Sequence, residues 1–101
     1  MKNTRLAVAL FALALSTPAI ASAGPIERAC LNASNGTRAM CSCIQQVADM
    51  TLRGGDQRRA ARFFDNPDAA QEMRVSKSQG DSAFWQRYRN FGSTAEAYCA
   101  G

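Results

Sequence analysis

Four cysteines carry the most specific chemistry in this chain of 101 residues: Cys30, Cys41, Cys43 and Cys99. The chain contains no histidine, which excludes Ser-His-Asp and Cys-His catalysis and disfavours the common zinc sites. An even number of cysteines in a short secreted chain is typical of a disulfide framework that compensates for a small core. We therefore expect two structural disulfides and a protein that is not an enzyme, with no catalytic residue, no metal and no cofactor.

Four cysteines allow three pairings, and a bridge between Cys41 and Cys43 would close a strained ring across one residue. Cys30 should therefore pair with one of these two and Cys99 with the other. In a helix the two lie about 200° apart, and Cys43 shares the apolar side whereas Cys41 does not. This favours Cys30 with Cys41 and Cys43 with Cys99, and leaves the reverse assignment open. The close spacing also leaves a thiol-redox or Cu(I) site at Cys41 and Cys43 as an alternative.

Residues 1–23 have the order of a secretory signal peptide. Residues 1–5 are short and basic, residues 6–15 are an unbroken apolar run, and small residues follow up to Ala21-Ser22-Ala23. Ten apolar residues are too few to cross a bilayer of roughly 30 Å as a helix. We therefore expect cleavage after Ala23 and an exported protein, periplasmic or secreted, that spans no membrane. Residues 24–101 should form a single helical domain.

Charge indicates what the exported part binds. The whole chain has 12 Lys and Arg against 8 Asp and Glu, and cleavage removes Lys2 and Arg5, which leaves ten against eight and a net charge of +2. Nine of those ten are arginine, whose forked guanidinium suits carboxylate or phosphate partners. A net charge of +2 is small for tracking phosphates and disfavours nucleic acid. The candidate anion-binding residues are Arg58, Arg59, Arg62, Arg87 and Arg89.

Strong stops in the sequence predict an all-α fold, a small compact bundle of five or six short helices joined by two disulfides. The helices are predicted at residues 25–33, 38–53, 57–65, 67–77, 82–91 and 93–99. Asp56 and Asp81 are expected as N-caps of the third and fifth helices. Gly80 and Gly92 are expected to interrupt the helical backbone before and after the fifth helix. Pro67 should end the third helix because it disfavours helical backbone in the preceding residue.

Helical spacing predicts which side chains face the core. In the second helix they are Met40, Cys43, Ile44, Val47 and Met50. In the third and fifth helices they are Ala60, Phe63, Phe64, Phe84, Trp85, Tyr88 and Phe91. Arg58, Arg59 and Arg62 then cluster on the outward side of the third helix. The open question is whether these three arginines meet anything besides water.

Four segments resemble a family of small exported alphaproteobacterial proteins, mostly uncharacterised. They are CSCIQQVAD at 41–49, DQRRAARFF at 56–64, FWQRY at 84–88 and AEAYC at 95–99. Some members carry the automated name "arginine transporter". The resemblance implies a bacterial periplasmic or secreted protein, and the name implies an accessory role in arginine uptake.

The sequence favours a non-enzymatic binding or interaction module of the cell envelope. Its partner would be an envelope protein or another anionic surface, which arginines recognise through charge-assisted hydrogen bonds. The alternatives are an accessory of arginine uptake, and a thiol-redox or copper-binding protein. Arginine binding would need clustered carboxylates, whereas the acids here are scattered over helix starts. Neither the oligomeric state nor the identity of the partner follows from the sequence.

Overall fold

The computed structural model describes residues 23–33 and 36–100, and this part of the chain consists of five helices with no strand. They are α1 (Pro25–Asn32), α2 (Arg38–Thr51), α3 (Gly54–Asp65), α4 (Pro67–Val75) and α5 (Gln79–Cys99). The predicted all-α fold is confirmed. The predicted signal peptide, except Ala23, lies outside the described residues. None of the described helices combines the length and hydropathy that crossing a membrane requires.

Two helix boundaries lie where local chemistry predicts them. Thr37 caps α2, because its hydroxyl accepts a hydrogen bond of 3.1 Å from the amide of Met40. The junction at Asn66 ends α3, and Pro67 begins α4. Proline suits the first helical position because its missing N–H would have no partner there. These ends are properties of a few neighbouring residues, so tertiary packing does not alter them.

The predicted N-caps of the third and fifth helices are wrong. The helix α3 already begins at Gly54, with Arg53 as N-cap, so Asp56 lies in the first turn. The N-cap of α5 is Ser78, whose hydroxyl accepts a hydrogen bond of 3.1 Å from the amide of Asp81. Both aspartates still favour the helix electrostatically at its positive end. Their carboxylates do not cap these helices and bind arginines instead.

The helix α5 is continuous over 21 residues, so the predicted breaks at Gly80 and Gly92 are wrong. A glycine inside a helix costs about 1 kcal/mol relative to alanine. Phe84 and Phe91 are 0% and 4% exposed. Burial of each side chain stabilises the fold by about 1.5–3 kcal/mol, which exceeds the cost of one glycine. The unbroken helix also carries Cys99 back to α2.

The core is formed by four of the five helices and by Leu52, which follows α2. Its buried members are Ile26, Val47, Ala48, Leu52, Ala60, Phe63, Phe84 and Phe91. The predicted inward faces of the third and fifth helices are confirmed, with Phe64, Trp85 and Tyr88 partly buried against this cluster. The helix α4 contributes no buried residue.

The predicted inward stripe of the second helix is only partly correct. Val47 is buried, but Met40 and Met50 are 38% and 63% exposed. Cys41 and Gln45 are buried in their place. The reason is that α2 packs against α1 as well as α5, which rotates its buried side away from the stripe that apolar spacing alone predicts.

The cysteine pairing is the one that the sequence favours. Cys30 bridges to Cys41, joining α1 to α2, and Cys43 bridges to Cys99, joining α2 to α5. The burial argument behind that preference is nevertheless wrong, because Cys41 is 0% exposed and Cys43 only partly buried. Gly36 makes the first bridge possible, since a Cβ there would overlap the carbonyl oxygen of Cys30.

Candidate functional site

Two of the five candidate arginines pack on the same aromatic ring. The guanidinium carbon of Arg59 lies 4.4 Å from the centroid of the Phe84 ring, and that of Arg87 lies 6.0 Å from it. Guanidinium groups within about 6 Å of an aromatic face are attracted to it electrostatically. Because Phe84 is fully buried, these two side chains help to close the core.

Arg59 is also neutralised by an aspartate. Its Nη2 donates a hydrogen bond of 3.1 Å to Oδ1 of Asp81, and the Ser76 hydroxyl donates one of 2.6 Å to Oδ2 of the same carboxylate. Hydrogen bonds to the charged form, first from Ser76 and then from Arg59, lower the pKa of Asp81 below its ordinary value. Arg59 Nη2 additionally lies 3.5 Å from the Met73 sulfur. This guanidinium has a structural role.

Arg87 is neutralised in the same way by Asp56. Its Nε and Nη2 donate hydrogen bonds of 2.7 Å and 3.1 Å to the two carboxylate oxygens, which is the forked geometry that arginine favours. This bond, joining α5 to α3, lowers the pKa of Asp56 and raises the pKa of Arg87. The Asp56 side chain is only 14% exposed. Arg87 is therefore committed to holding α5 against α3.

The other three arginines are exposed, and within residues 23–33 and 36–100 none of them forms an ion pair. Arg58 and Arg62 lie one turn apart on the outer side of α3, and we call this pair the arginine face. Arg89 lies apart from it, in a shallow depression whose other lining residues are all on α5. The structure thus reduces the predicted five-residue surface to two neighbouring side chains.

A surface cleft of about 350 Å³ lies between α3, α4 and the beginning of α5. Its lining residues are Arg59, Arg62, Phe63, Ala69, Glu72, Met73, Ser76 and Asp81. The lining carries two positive and two negative side chains, so it has no net preference for an anion. Sequence reasoning missed the contributions of α4, because no local pattern places Glu72, Met73 or Ser76 beside α3.

The four cysteines are all bridged, so the chain has no free thiol. Cys41 and Cys43 have different partners and do not form one dithiol pair. In the part that the structure describes, no three His, Cys, Asp or Glu side chains cluster as metal ligands would. The geometry therefore offers no support for thiol-redox or copper chemistry at Cys41 and Cys43.

A buried polar cluster that the sequence did not reveal joins α1, α2 and α3. Gln45 Nε2 donates 2.8 Å hydrogen bonds to Asp49 and Gln57, and Gln57 Nε2 donates to Asp49 and to the Leu52 carbonyl at 3.1 Å each. Gln45 Oε1 accepts from the Glu27 amide at 2.8 Å. Both glutamines are 7% exposed. Since both amide groups are hydrogen-bonded, this cluster is structural rather than a ligand site.

Comparison of the chain with protein-family models, with curated proteins and with solved structures found no match. The resemblance to small exported proteins therefore stays a prediction. Any functional assignment depends on the arginine face, the cleft and the disulfides described above.

Proposed function

We propose that the protein is an exported, non-enzymatic binding protein whose arginine face, Arg58 and Arg62, binds an anionic partner. The supporting observation is the division among the candidate arginines. Asp81 and Asp56 neutralise Arg59 and Arg87, whereas Arg58 and Arg62 are exposed and form no ion pair among the described residues.

Electrostatics within α3 favour an external partner for this pair. The two residues are four positions apart, about 6 Å along the helix axis. Like charges at this spacing repel and destabilise a helix by about 0.2–0.5 kcal/mol. A bound carboxylate or phosphate would relieve the repulsion and accept charge-assisted hydrogen bonds from both guanidiniums. The arginine face therefore does more for binding an anion than for folding.

The proposed compartment follows from the cysteines and the predicted leader. Disulfides persist in oxidising compartments such as the periplasm and the extracellular space, and both bridges of this chain join separate helices. A signal peptide at residues 1–23 would deliver the chain there. The partner is then an acidic protein surface or another anionic group of the cell envelope.

The two alternatives have weaker support. An arginine-uptake accessory needs carboxylates that bind a guanidinium, and the cleft does contain Glu72 and Asp81. However, Arg59 already occupies Asp81, and Arg62 lines the same cleft. A thiol-redox or copper protein needs accessible thiolates, and no cysteine is free. We therefore prefer the anionic partner.

Charge reversal tests the proposal. The variant Arg58→Glu/Arg62→Glu changes the net charge of residues 24–101 from +2 to −2, and the control Arg38→Glu/Arg74→Glu makes the same change at two other exposed arginines. Binding of the processed protein to polyglutamate beads and to phosphatidylglycerol vesicles is measured at low and at physiological salt. We expect the first variant to bind at least tenfold more weakly than wild type, a loss of about 1.4 kcal/mol, and the control to retain most of the binding.

The thermal midpoint provides the folding control for this experiment. Among the described residues neither Arg58 nor Arg62 forms an ion pair, and Arg74 bonds only to the neighbouring, exposed Gln71. We therefore expect the free energy of unfolding of both variants to stay within about 0.5 kcal/mol of wild type. Equal losses in the two variants would show that net charge, not the arginine face, drives binding. Failure of wild type to bind either anionic probe would contradict the proposal itself.

A further inference from the structure

We propose that α4 is a hinged lid over the cleft, held closed by a latch that consists of Arg59, Ser76 and Asp81. In this arrangement α4 opens locally while the other four helices stay folded. The inference concerns the conformational behaviour of the fold and does not depend on the arginine face.

The helix α4 is the most weakly anchored of the five. It buries no residue, whereas each of the other helices buries at least two. Its inner side, Ala69, Ala70 and Met73, is only partly buried, and Val75 is 68% exposed. A helix of nine residues is not stable alone in water, so α4 stays in place through its contacts with α3 and α5.

In the latch, the hydrogen bonds that hold the end of α4 and Arg59 of α3 meet at one carboxylate, that of Asp81. Asp81, in the first turn of α5, accepts hydrogen bonds from Ser76 at the end of α4 and from Arg59 on α3. Arg59 also contacts the sulfur of Met73 on α4 at 3.5 Å. The side chains of Arg59 and Asp81 are 36% and 33% exposed, so water competes for the hydrogen bonds that hold α4.

The covalent bridges and the buried polar cluster of the fold do not involve α4. The disulfides join α1 to α2 and α2 to α5, and the hydrogen bond between Gln45 and Gln57 joins α2 to α3. Opening α4 therefore breaks no covalent bridge and no part of that buried polar cluster. A segment with few buried apolar contacts opens at a lower free energy than the whole protein unfolds. Opening exposes Phe63, which is 8% exposed in the closed cleft.

Amide hydrogen exchange tests the lid and the latch separately. In wild type, we expect the α4 amides to exchange faster than those of α2 and of the second half of α5. Ser76→Ala removes one hydrogen bond to a charged group and should accelerate exchange in α4 by about tenfold. Asp81→Asn should accelerate it at least as much. Ser82→Ala makes the same chemical change at an exposed α5 serine outside the latch and should leave α4 unaffected.

Three results would overturn the inference. Equal exchange rates for α4 and α2 in wild type would show that α4 opens only when the whole protein unfolds. Unchanged α4 exchange in both latch variants would remove the role of Ser76 and Asp81. Acceleration of α2 as large as that of α4 would show that these residues stabilise the entire fold, not a lid. Because both substitutions lie near the surface, the variants should fold, and circular dichroism verifies this before exchange.

Discussion

Replacement of Phe84 by leucine should reveal how much the two flanking arginines and neighbouring rings stabilise the core. Phe84 is 0% exposed. Its ring centroid lies 6.0 Å from that of Phe63 and 6.1 Å from that of Tyr88, and the Arg59 guanidinium lies over its face at 4.4 Å. Leucine keeps most of the apolar area, so the substitution removes chiefly these aromatic and cation–π contacts.

The magnitude follows from the number of such contacts. Each aromatic pair contributes about 0.5–1.5 kcal/mol beyond burial, and the Arg59 contact adds about 0.5–1 kcal/mol. Phe84→Leu should therefore lower the free energy of unfolding by about 2–3 kcal/mol. Phe91 is the matched control, because it is 4% exposed on the same helix and, among the described residues, pairs with one aromatic ring, that of Tyr88, at 5.9 Å. Phe91→Leu should cost about 1 kcal/mol.

Urea unfolding followed by far-ultraviolet circular dichroism measures both effects. With a slope of about 1 kcal/mol per molar urea, typical of a small domain, the midpoint should fall by about 2–3 M in Phe84→Leu and by about 1 M in Phe91→Leu. An unchanged slope shows that stability, not the compactness of the unfolded chain, has changed.

A double-mutant cycle isolates the arginine. Arg59→Gln and Phe84→Leu, alone and together, should give a coupling free energy of about 1 kcal/mol, because the two side chains are in direct contact. A loss in Phe84→Leu no larger than in Phe91→Leu would refute the contribution of the neighbouring ring and guanidinium. Additive losses in the cycle would refute the cation–π contact alone.

Three further predictions concern charge, buried polarity and the bridges. The hydrogen bond from Arg87 lowers the pKa of Asp56, and those from Ser76 and Arg59 lower the pKa of Asp81, below the ordinary value of an aspartate. Their contribution to stability is therefore present above about pH 4. This contribution is lost as the pH falls through the two lowered pKa values. When thermal midpoints are measured from pH 7 to pH 2, those of a variant with asparagine at both positions should decline less steeply at the acid end than those of wild type. Gln57→Leu leaves buried partners without hydrogen bonds and should lower the free energy of unfolding by about 1–3 kcal/mol, whereas the control Gln46→Leu, at an exposed position, should change it by less than about 0.5 kcal/mol. Urea unfolding measures both, and equal losses would contradict a role for the buried cluster. Alanine at both cysteines of the α2–α5 bridge, which spans 56 residues, should cost about 4 kcal/mol in non-reducing urea unfolding, and a loss below about 1 kcal/mol would contradict the loop-closure reasoning.

Local signals were sufficient for much of the fold. Apolar residues at three- and four-residue steps predicted that Phe63, Phe84 and Phe91 face the core, and they are buried. Pro67 predicted the boundary between α3 and α4 because its ring restricts the residue before it. Each of these signals depends on side chains within a few residues of one another, where secondary structure is itself decided.

Predictions that required knowledge of distant neighbours were less successful. Gly80 and Gly92 are poor helix formers, yet α5 continues through both because its aromatic side is buried against the other helices. Met40 and Met50 were predicted to face the core, but α2 turns Gln45 inward instead, where Gln57 and Asp49 complete its hydrogen bonds. No local sequence pattern indicates that Gln57, 12 residues away, will accept a hydrogen bond from Gln45.

The sequence by itself determined that this protein is helical, that its four cysteines form two bridges and that arginine is its main cationic side chain. Which arginines remain available was decided only by the tertiary structure. Arg59 meets Asp81 across 22 residues, and Arg87 meets Asp56 across 31. The physical reason is that an ion pair between two helices depends on how those helices pack, whereas helix formation depends on residues close in the chain. Packing thus left Arg58 and Arg62 as the exposed pair on α3.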